Sequence, residues 1–262
     1  MTILIHELKR SKRSLLIWTA AISFMLGACI LIYPEMAPQM NEMTDMFAQM
    51  GSFTAAFGMD KLNFGEFMGY FAIECGNVLG LFGALFAGMT GITALAKEEK
   101  DGTAEFLLTH PVHRSDVVDE KLLAVFAKVT ILNAAVLGIC TACCVAIGKT
   151  DALNAGYFML FLAYYLLQLE IAAITFGISA FLKKGGVSLG LGVGFGFYFL
   201  NIIANLTEQL AFLKYITPFS YCEGSFLLEN QRLDYPYVAA GCGLALIAVV
   251  AAFRQYEKKD IC

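Results

Sequence analysis

Charge is what this sequence has least of. Asp, Glu, Lys and Arg make up 15% of its 262 residues, where soluble domains carry about 25%. Hydrophobic residues make up 58%. One or two soluble domains of this length could not hide so much apolar surface. The balance excludes a soluble enzyme, a nucleic-acid binder and a disordered scaffold. The net charge of −4 supplies no basic field for nucleic acid or another polyanion.

Catalytic and metal motifs are missing too. The chain has no H-E-x-x-H. Its three histidines are His6, His110 and His113, and the last two, bracketing Pro111, are too few to hold a metal alone. Gly148-Lys149-Thr150 resembles the end of a phosphate-binding loop. However, Cys143 stands where the first glycine should be, and the stretch follows an apolar run rather than a strand. No ATP site of the chain's own is expected. Six of the eight cysteines (Cys29, Cys75, Cys140, Cys143, Cys144, Cys242) lie in apolar runs. Cys222 and Cys262 lie in polar context. Cys140-x-x-Cys143-Cys144 lacks a second pair, so it reads as buried small hydrophobes rather than a metal site.

What is present is apolar length. Six stretches stand out, at about 14–33, 67–95, 122–148, 156–182, 187–206 and 236–253. Crossing about 30 Å of hydrocarbon takes about 20 helical residues. Lipid offers the backbone no hydrogen-bond partner, so each span is expected to be a helix. The fold class expected is an all-α membrane protein of six spans in a single domain, 1–262. The first span is too long for a signal-peptide core and lacks a small-residue cleavage site.

Basic residues set the orientation. With both termini in the cytoplasm, 13 of the 18 Lys and Arg fall inside. They cluster in residues 1–13, in loop 96–121, at Lys183 and Lys184, and in the tail. Lys128 lies near the inner end of the third span, where its stem can snorkel. Residues 1–13 read either as an interfacial elbow helix, with Ile3, Leu4 and Leu8 opposing the charges, or as a simple topogenic cluster. The outer segment 34–66 is acidic and Met-rich. Its apolar residues at 36, 40, 43, 46, 47 and 50 have helical spacing, which suits an outer-rim helix or a lid.

Polar groups inside spans are costly and mark candidate substrate-path residues. They are Glu74 and Asn77 on the second span, Glu170 beside Gln168 on the fourth, and Asn201 with Asn205 near the outer end of the fifth. Asn133 lies mid-depth on the third. Interhelical hydrogen bonding within the bundle is the simpler reading of them. On the fifth span Gly186, Gly190 and Gly194, and also Gly192 and Gly196, repeat every four residues. This is the small-residue pattern of close helix packing in lipid.

Loop 96–121 is the most informative segment. Eleven of the chain's 40 charges lie between Lys97 and Lys121. A charged run meets Gly102-Thr103, followed by a short helix-competent stretch with an apolar knob, Phe106-Leu107-Leu108. Pro111 stops it. Ser115 is then placed to cap a helix leading into the third span. Apolar residues displayed on a short interfacial helix suit docking of a soluble partner.

This segment resembles the loop between spans two and three of type-2 ABC transporter permeases. Glu98, Gly102, Thr103, Glu105, Leu107, Leu108, Pro111, Val112 and Arg114 match, and His113 departs from a usual small hydroxyl residue. The six spans, the basic N-terminus and Tyr215-Ile216-Thr217-Pro218-Phe219 agree. The resemblance implies one permease half of an exporter in a bacterial cell membrane, multi-pass, paired with a second half, identical or paralogous. It implies a separate ATPase subunit docked on a coupling helix formed by Glu98, Gly102, Thr103, Glu105, Phe106, Leu107, Leu108, Pro111 and Arg114. ATP and Mg would sit on that ATPase, with no cofactor or metal on this chain. Short outer helices would surround Pro218 and Glu223, which makes Glu223 a further substrate-path candidate. The alternative is a self-contained secondary transporter or channel using Glu74 and Glu170.

Overall fold

The computed structural model describes residues 2–49, 54, 61–63, 65–97, 113–182, 186–206 and 208–258. Among these residues there is no strand, and six helices are long and apolar enough to span a membrane. We label the helices α1 (Thr2–Gln49), α2 (Phe67–Glu74), α3 (Leu81–Ile92), α4 (Arg114–Ala146), α5 (Ala155–Ser179), α6 (Val187–Leu206), α7 (Gly224–Asn230) and α8 (Tyr235–Lys258). A π-helical turn, Cys75–Gly80, joins α2 to α3. The second span is therefore α2, the π turn and α3 in series.

α1 runs unbroken for 48 residues, about 72 Å at 1.5 Å per residue and far more than the hydrocarbon needs. The basic segment 1–13 continues into the first span without a break, and the helical outer segment continues out of it to Gln49 through Pro34 and Pro38. Two of α1's first amide groups are satisfied from a distance. Glu120 on α4 accepts from the amides of Ile3 at 2.9 Å and Leu4 at 3.1 Å, meeting donors that a helix start leaves orphaned.

α4 begins at Arg114, one residue before the expected Ser115 cap, and runs on into the third span. Ser115 lies inside the helix. His113 takes the capping position in extended backbone (φ −70°, ψ 144°) with no side-chain bond. Arg114 is anchored on a neighbour. Its Nη1 donates to the carbonyls of Tyr256 at 3.4 Å and Glu257 at 3.2 Å, at the end of α8.

The core sits on the second and fourth spans. Within their most apolar windows 72% and 61% of residues are buried, against 17% for α6 and 11% for α8. α3 packs on α5 and α6, α1 packs on α4, and α8 packs on α5. An aromatic column links α2 to α5: Phe67 stacks on Phe71 at 5.9 Å, Phe71 on Tyr157 at 5.3 Å, and Tyr157 meets Phe161 at 5.1 Å. Large apolar side chains such as Leu16, Phe24, Leu246 and Ile247 point outward, as lipid-facing surfaces require.

The glycine repeat of the fifth span divides by face. Gly190 meets Gly88 backbone to backbone, and Gly194 lies against Ala84. Gly192 and Gly196 face open space. Cys140 and Cys144 are buried and Cys143 half-buried, and the described cysteines carry free thiols. Cys222, expected in polar surroundings, is buried too, because the outer turn Pro218–Cys222 folds down onto α5.

Candidate functional site

The sequence candidates separate into four places. Asn77, Asn201 and Glu223 come together around one cavity of about 80 Å³ at the end of the bundle remote from the start of α1. Asn77 reaches it from the π turn, Asn201 and Asn205 from the last turns of α6, and Glu223 from the step between the outer turn and α7.

Local structure explains the convergence. The π turn brings Gly76 and Gly80 against the Tyr164 ring of α5. A Cβ on Gly76 would come within 3.2 Å of the Tyr164 hydroxyl, and one on Gly80 within 3.0 Å of its ring. Only small residues admit that approach. Tyr164 in turn donates its hydroxyl to the Cys222 carbonyl at 3.2 Å, tying the outer turn to α5. Thr217 caps that turn, accepting from the Phe219 amide at 3.3 Å, and donates to the Phe197 carbonyl of α6 at 2.9 Å. Phe219 packs edge-on against Tyr198 at 5.5 Å. The lid of the cavity is thus stapled to α5 and α6.

Hydrogen-bonding groups line this cavity: the amides of Asn77, Asn201 and Asn205, the Ser220 hydroxyl and one carboxylate. Ser220 Oγ is buried with no hydrogen-bond partner among the described residues, so it can bond to a guest at no cost to the fold. The carboxylate is already engaged. Glu223 Oε1 accepts from Lys61 Nζ at 2.8 Å and from Ser225 Oγ at 3.0 Å. Burial opposes ionisation of Glu223, but the Lys61 ammonium and the Ser225 hydroxyl outweigh it and hold the carboxyl below its usual range. The site offers neutral donors and acceptors beside a paired charge.

Glu74 and Glu170 lie elsewhere. Glu74 faces α1, where Cys29 Sγ donates to its Oε2 at 3.6 Å. Three residues separate it from Asn77, but the wider winding of the π turn rotates Asn77 off its face. Glu170, buried on α5, points at α8. Cys242 Sγ donates to its Oε1 at 3.4 Å, and the absent side chain of Gly241 makes room for the other oxygen. The buried Tyr221 hydroxyl lies next to the Glu170 carboxylate.

The coupling candidates Glu98, Gly102, Thr103, Glu105, Phe106, Leu107, Leu108 and Pro111 lie outside the described residues. Arg114 is described, and it clamps the end of α8.

Two further arrangements stand out, the first being the interhelical bonding that the sequence allowed for Gln168 and Asn133, the second one not foreseen. Gln168, fully buried, donates Nε2–H to the Leu79 carbonyl at 3.2 Å and accepts from Asn133 at 2.7 Å. Glu7 on α1 faces two buried lysines of α4, Lys121 at 3.9 Å and Lys128 at 3.7 Å. Lys121 also donates to the Ala94 carbonyl at 2.8 Å. Lys128 therefore does not snorkel outward but turns into the bundle. The only signal in sequence was a lysine set deeper than its fellows.

These features define a class: a polytopic helical membrane protein with a polar cavity between its spans and no catalytic set assembled among the described residues. Residues 1–261 match the model of the ABC-2 family transporter proteins. The chain belongs to that family, whose members are membrane transport components rather than catalytic subunits and are associated with an ATPase. A search of curated proteins finds no match.

Proposed function

We propose that this chain is the membrane half-unit of an ATP-driven exporter, a single permease domain that forms part of the substrate path and docks a separate ATPase. The observation that carries the reading is the meeting of Asn77, Asn201 and Glu223, from three distant segments, on one outer cavity in a chain that matches a transporter family along its length. In this reading both termini and loop 96–121 face the cytoplasm. The coupling helix is built from Glu98, Gly102, Thr103, Glu105, Phe106, Leu107, Leu108, Pro111 and Arg114. ATP and Mg bind the partner ATPase. A second permease half, identical or paralogous, completes the path across the membrane.

Arg114 gives the coupling a mechanical route. It closes the docking segment and grips the α8 carbonyls, so displacement of the loop pulls on both α4 and α8. The test is co-expression with an ATPase subunit. The permease is expected to retain it through purification, and the complex to hydrolyse ATP. If no ATPase is retained, and transport survives ATP depletion while an ion gradient is maintained, a self-contained transporter using Glu74 and Glu170 replaces this reading.

A further inference from the structure

A groove of about 290 Å³ opens on the outside of the bundle between α4 and α5. Ala134 and Leu137 of α4 and Phe158 and Leu162 of α5 form its walls. Phe158 and Leu162 are exposed, so the groove is open to the surrounding hydrocarbon. Its polar residues gather at one end, where Thr130, Asn133 and Tyr165 line it.

Every polar hydrogen at that end is already spent. Thr130 donates its hydroxyl to the Phe126 carbonyl at 2.8 Å. Tyr165, whose oxygen lies 2.9 Å from Thr130 Oγ1, is therefore the donor in that pair. Asn133 uses both of its Nδ2 hydrogens, on the Val129 carbonyl at 2.9 Å and on Gln168 Oε1 at 2.7 Å. The opposite setting of the amide would turn its oxygen onto the Val129 carbonyl, so the network fixes the assignment. Only acceptors remain. Asn133 is 7% exposed, and its buried Oδ1 has no hydrogen-bond partner among the described residues. The Tyr165 oxygen keeps acceptor capacity as well.

Depth makes this imbalance matter. Thr130 is the central residue of the 33-residue α4, and Tyr165 is two residues from the centre of the 25-residue α5. Both helices put the polar end deep in the hydrocarbon, where no water meets an open acceptor. Such an acceptor is costly, and a guest that carries a donor relieves it. Anions and bare acyl chains bring no hydrogen to donate, so neither answers it. The apolar walls run seven residues on each helix, Thr130 to Leu137 and Phe158 to Tyr165, about 10 Å of rise. That length suits a medium alkyl chain.

We infer that this groove binds a lipophilic alcohol taken from the bilayer, its alkyl body along Leu137 and Phe158 and its hydroxyl donating at the Asn133–Tyr165 end. The site shares no lining residue with the outer cavity and does not rest on the export reading.

The full-length protein in phosphatidylcholine vesicles is photolabelled with a diazirine derivative of octanol, and the labelled peptides are identified by mass spectrometry. Label is expected on the groove segments of α4 and α5. At matched mole fraction in the bilayer, octanol should displace it about three- to tenfold better than methyl octyl ether, the worth of one hydrogen bond in hydrocarbon. Ala134 is exposed, so Ala134→Leu fills the groove without disturbing the core and should cut labelling several-fold. Asn133→Leu should bring octanol down to the level of the ether. The comparison of alcohol with ether on the wild-type chain needs no variant, so a folding defect in Asn133→Leu does not mask the answer. Equal displacement by octanol and the ether, or labelling unaffected by Ala134→Leu, overturns the inference. Label absent from the groove, with Ala134→Leu converting a dimer to a monomer in detergent, would make this face a contact between copies and overturns it too.

Discussion

Gln168 and Leu79 hold the π turn in place: the buried amide of α5 donates to the Leu79 carbonyl at 3.2 Å. A π turn disturbs the regular backbone ladder, and a carbonyl so displaced inside a membrane needs a side-chain partner. Asn133 bonds the other end of the same amide at 2.7 Å. Gln168→Leu breaks both bonds. At about 0.6 kcal/mol per interhelical bond, with a further penalty for the orphaned carbonyl, a loss of about 1–2 kcal/mol is expected. Unfolding in mixed detergent and SDS measures it; unchanged stability would remove Gln168 from this role.

The contact between α3 and α6 makes a sharper contrast. A side chain on Gly190 would run into the Gly88 carbonyl, whereas Gly192, two positions on, faces open space. Gly190→Val is expected to destabilise the monomer and Gly192→Ala to leave its thermal stability in detergent unchanged. Equal tolerance at both positions would contradict the packing.

Glu7 should matter more than an N-terminal residue usually does. It lies between Lys121 and Lys128, which are 1% and 7% exposed. Glu7→Gln leaves two buried ammonium groups without their shared carboxylate, a loss of about 3 kcal/mol. Adding Lys128→Met removes one of the two and should restore part of the stability. A double-mutant cycle reads the coupling, and strictly additive losses would show that the three groups do not interact.

The Lys61–Glu223 pair predicts a pH dependence. Glu223 titrates lower in the folded protein than its ordinary value of 4.5, so its contribution is complete above about that pH. It is lost as the pH falls through the depressed folded value. Lys61 is 60% exposed, which limits the pair to about 0.2–1 kcal/mol. Stability of wild type and Glu223→Gln should differ by that amount at neutral pH and converge in acid. Divergence on acidification would have the wrong sign.

Sequence made the spans legible because hydrocarbon imposes length and apolarity together. The fifth span starts and ends where the pattern places it, and Gly190 and Gly194 pack as their four-residue spacing implies. It also made Asn77 and Asn201 legible as candidates, since polar groups in apolar runs are few, whereas Glu223 was a candidate only through the family resemblance. Their convergence was not legible, because it depends on the π turn and on the Thr217 staple. The Glu7 cluster escaped for a related reason: its partners are more than a hundred positions away, and pairing at that range leaves no local pattern. Glu170 points toward α8, where Gly241 leaves room for its carboxylate, and no local pattern marks that direction.

The central claim is ATP coupling through loop 96–121, and one variant tests it most directly. Leu107→Asp combined with Leu108→Asp puts two charges into the apolar knob of the loop. Permease and ATPase subunit are co-purified and ATP hydrolysis is measured, with thermal stability of the permease as the control for folding. The account predicts that the wild-type chain retains an active ATPase and that the double variant, equally stable, loses it. A double variant that keeps its ATPase and its hydrolysis rate would contradict the account.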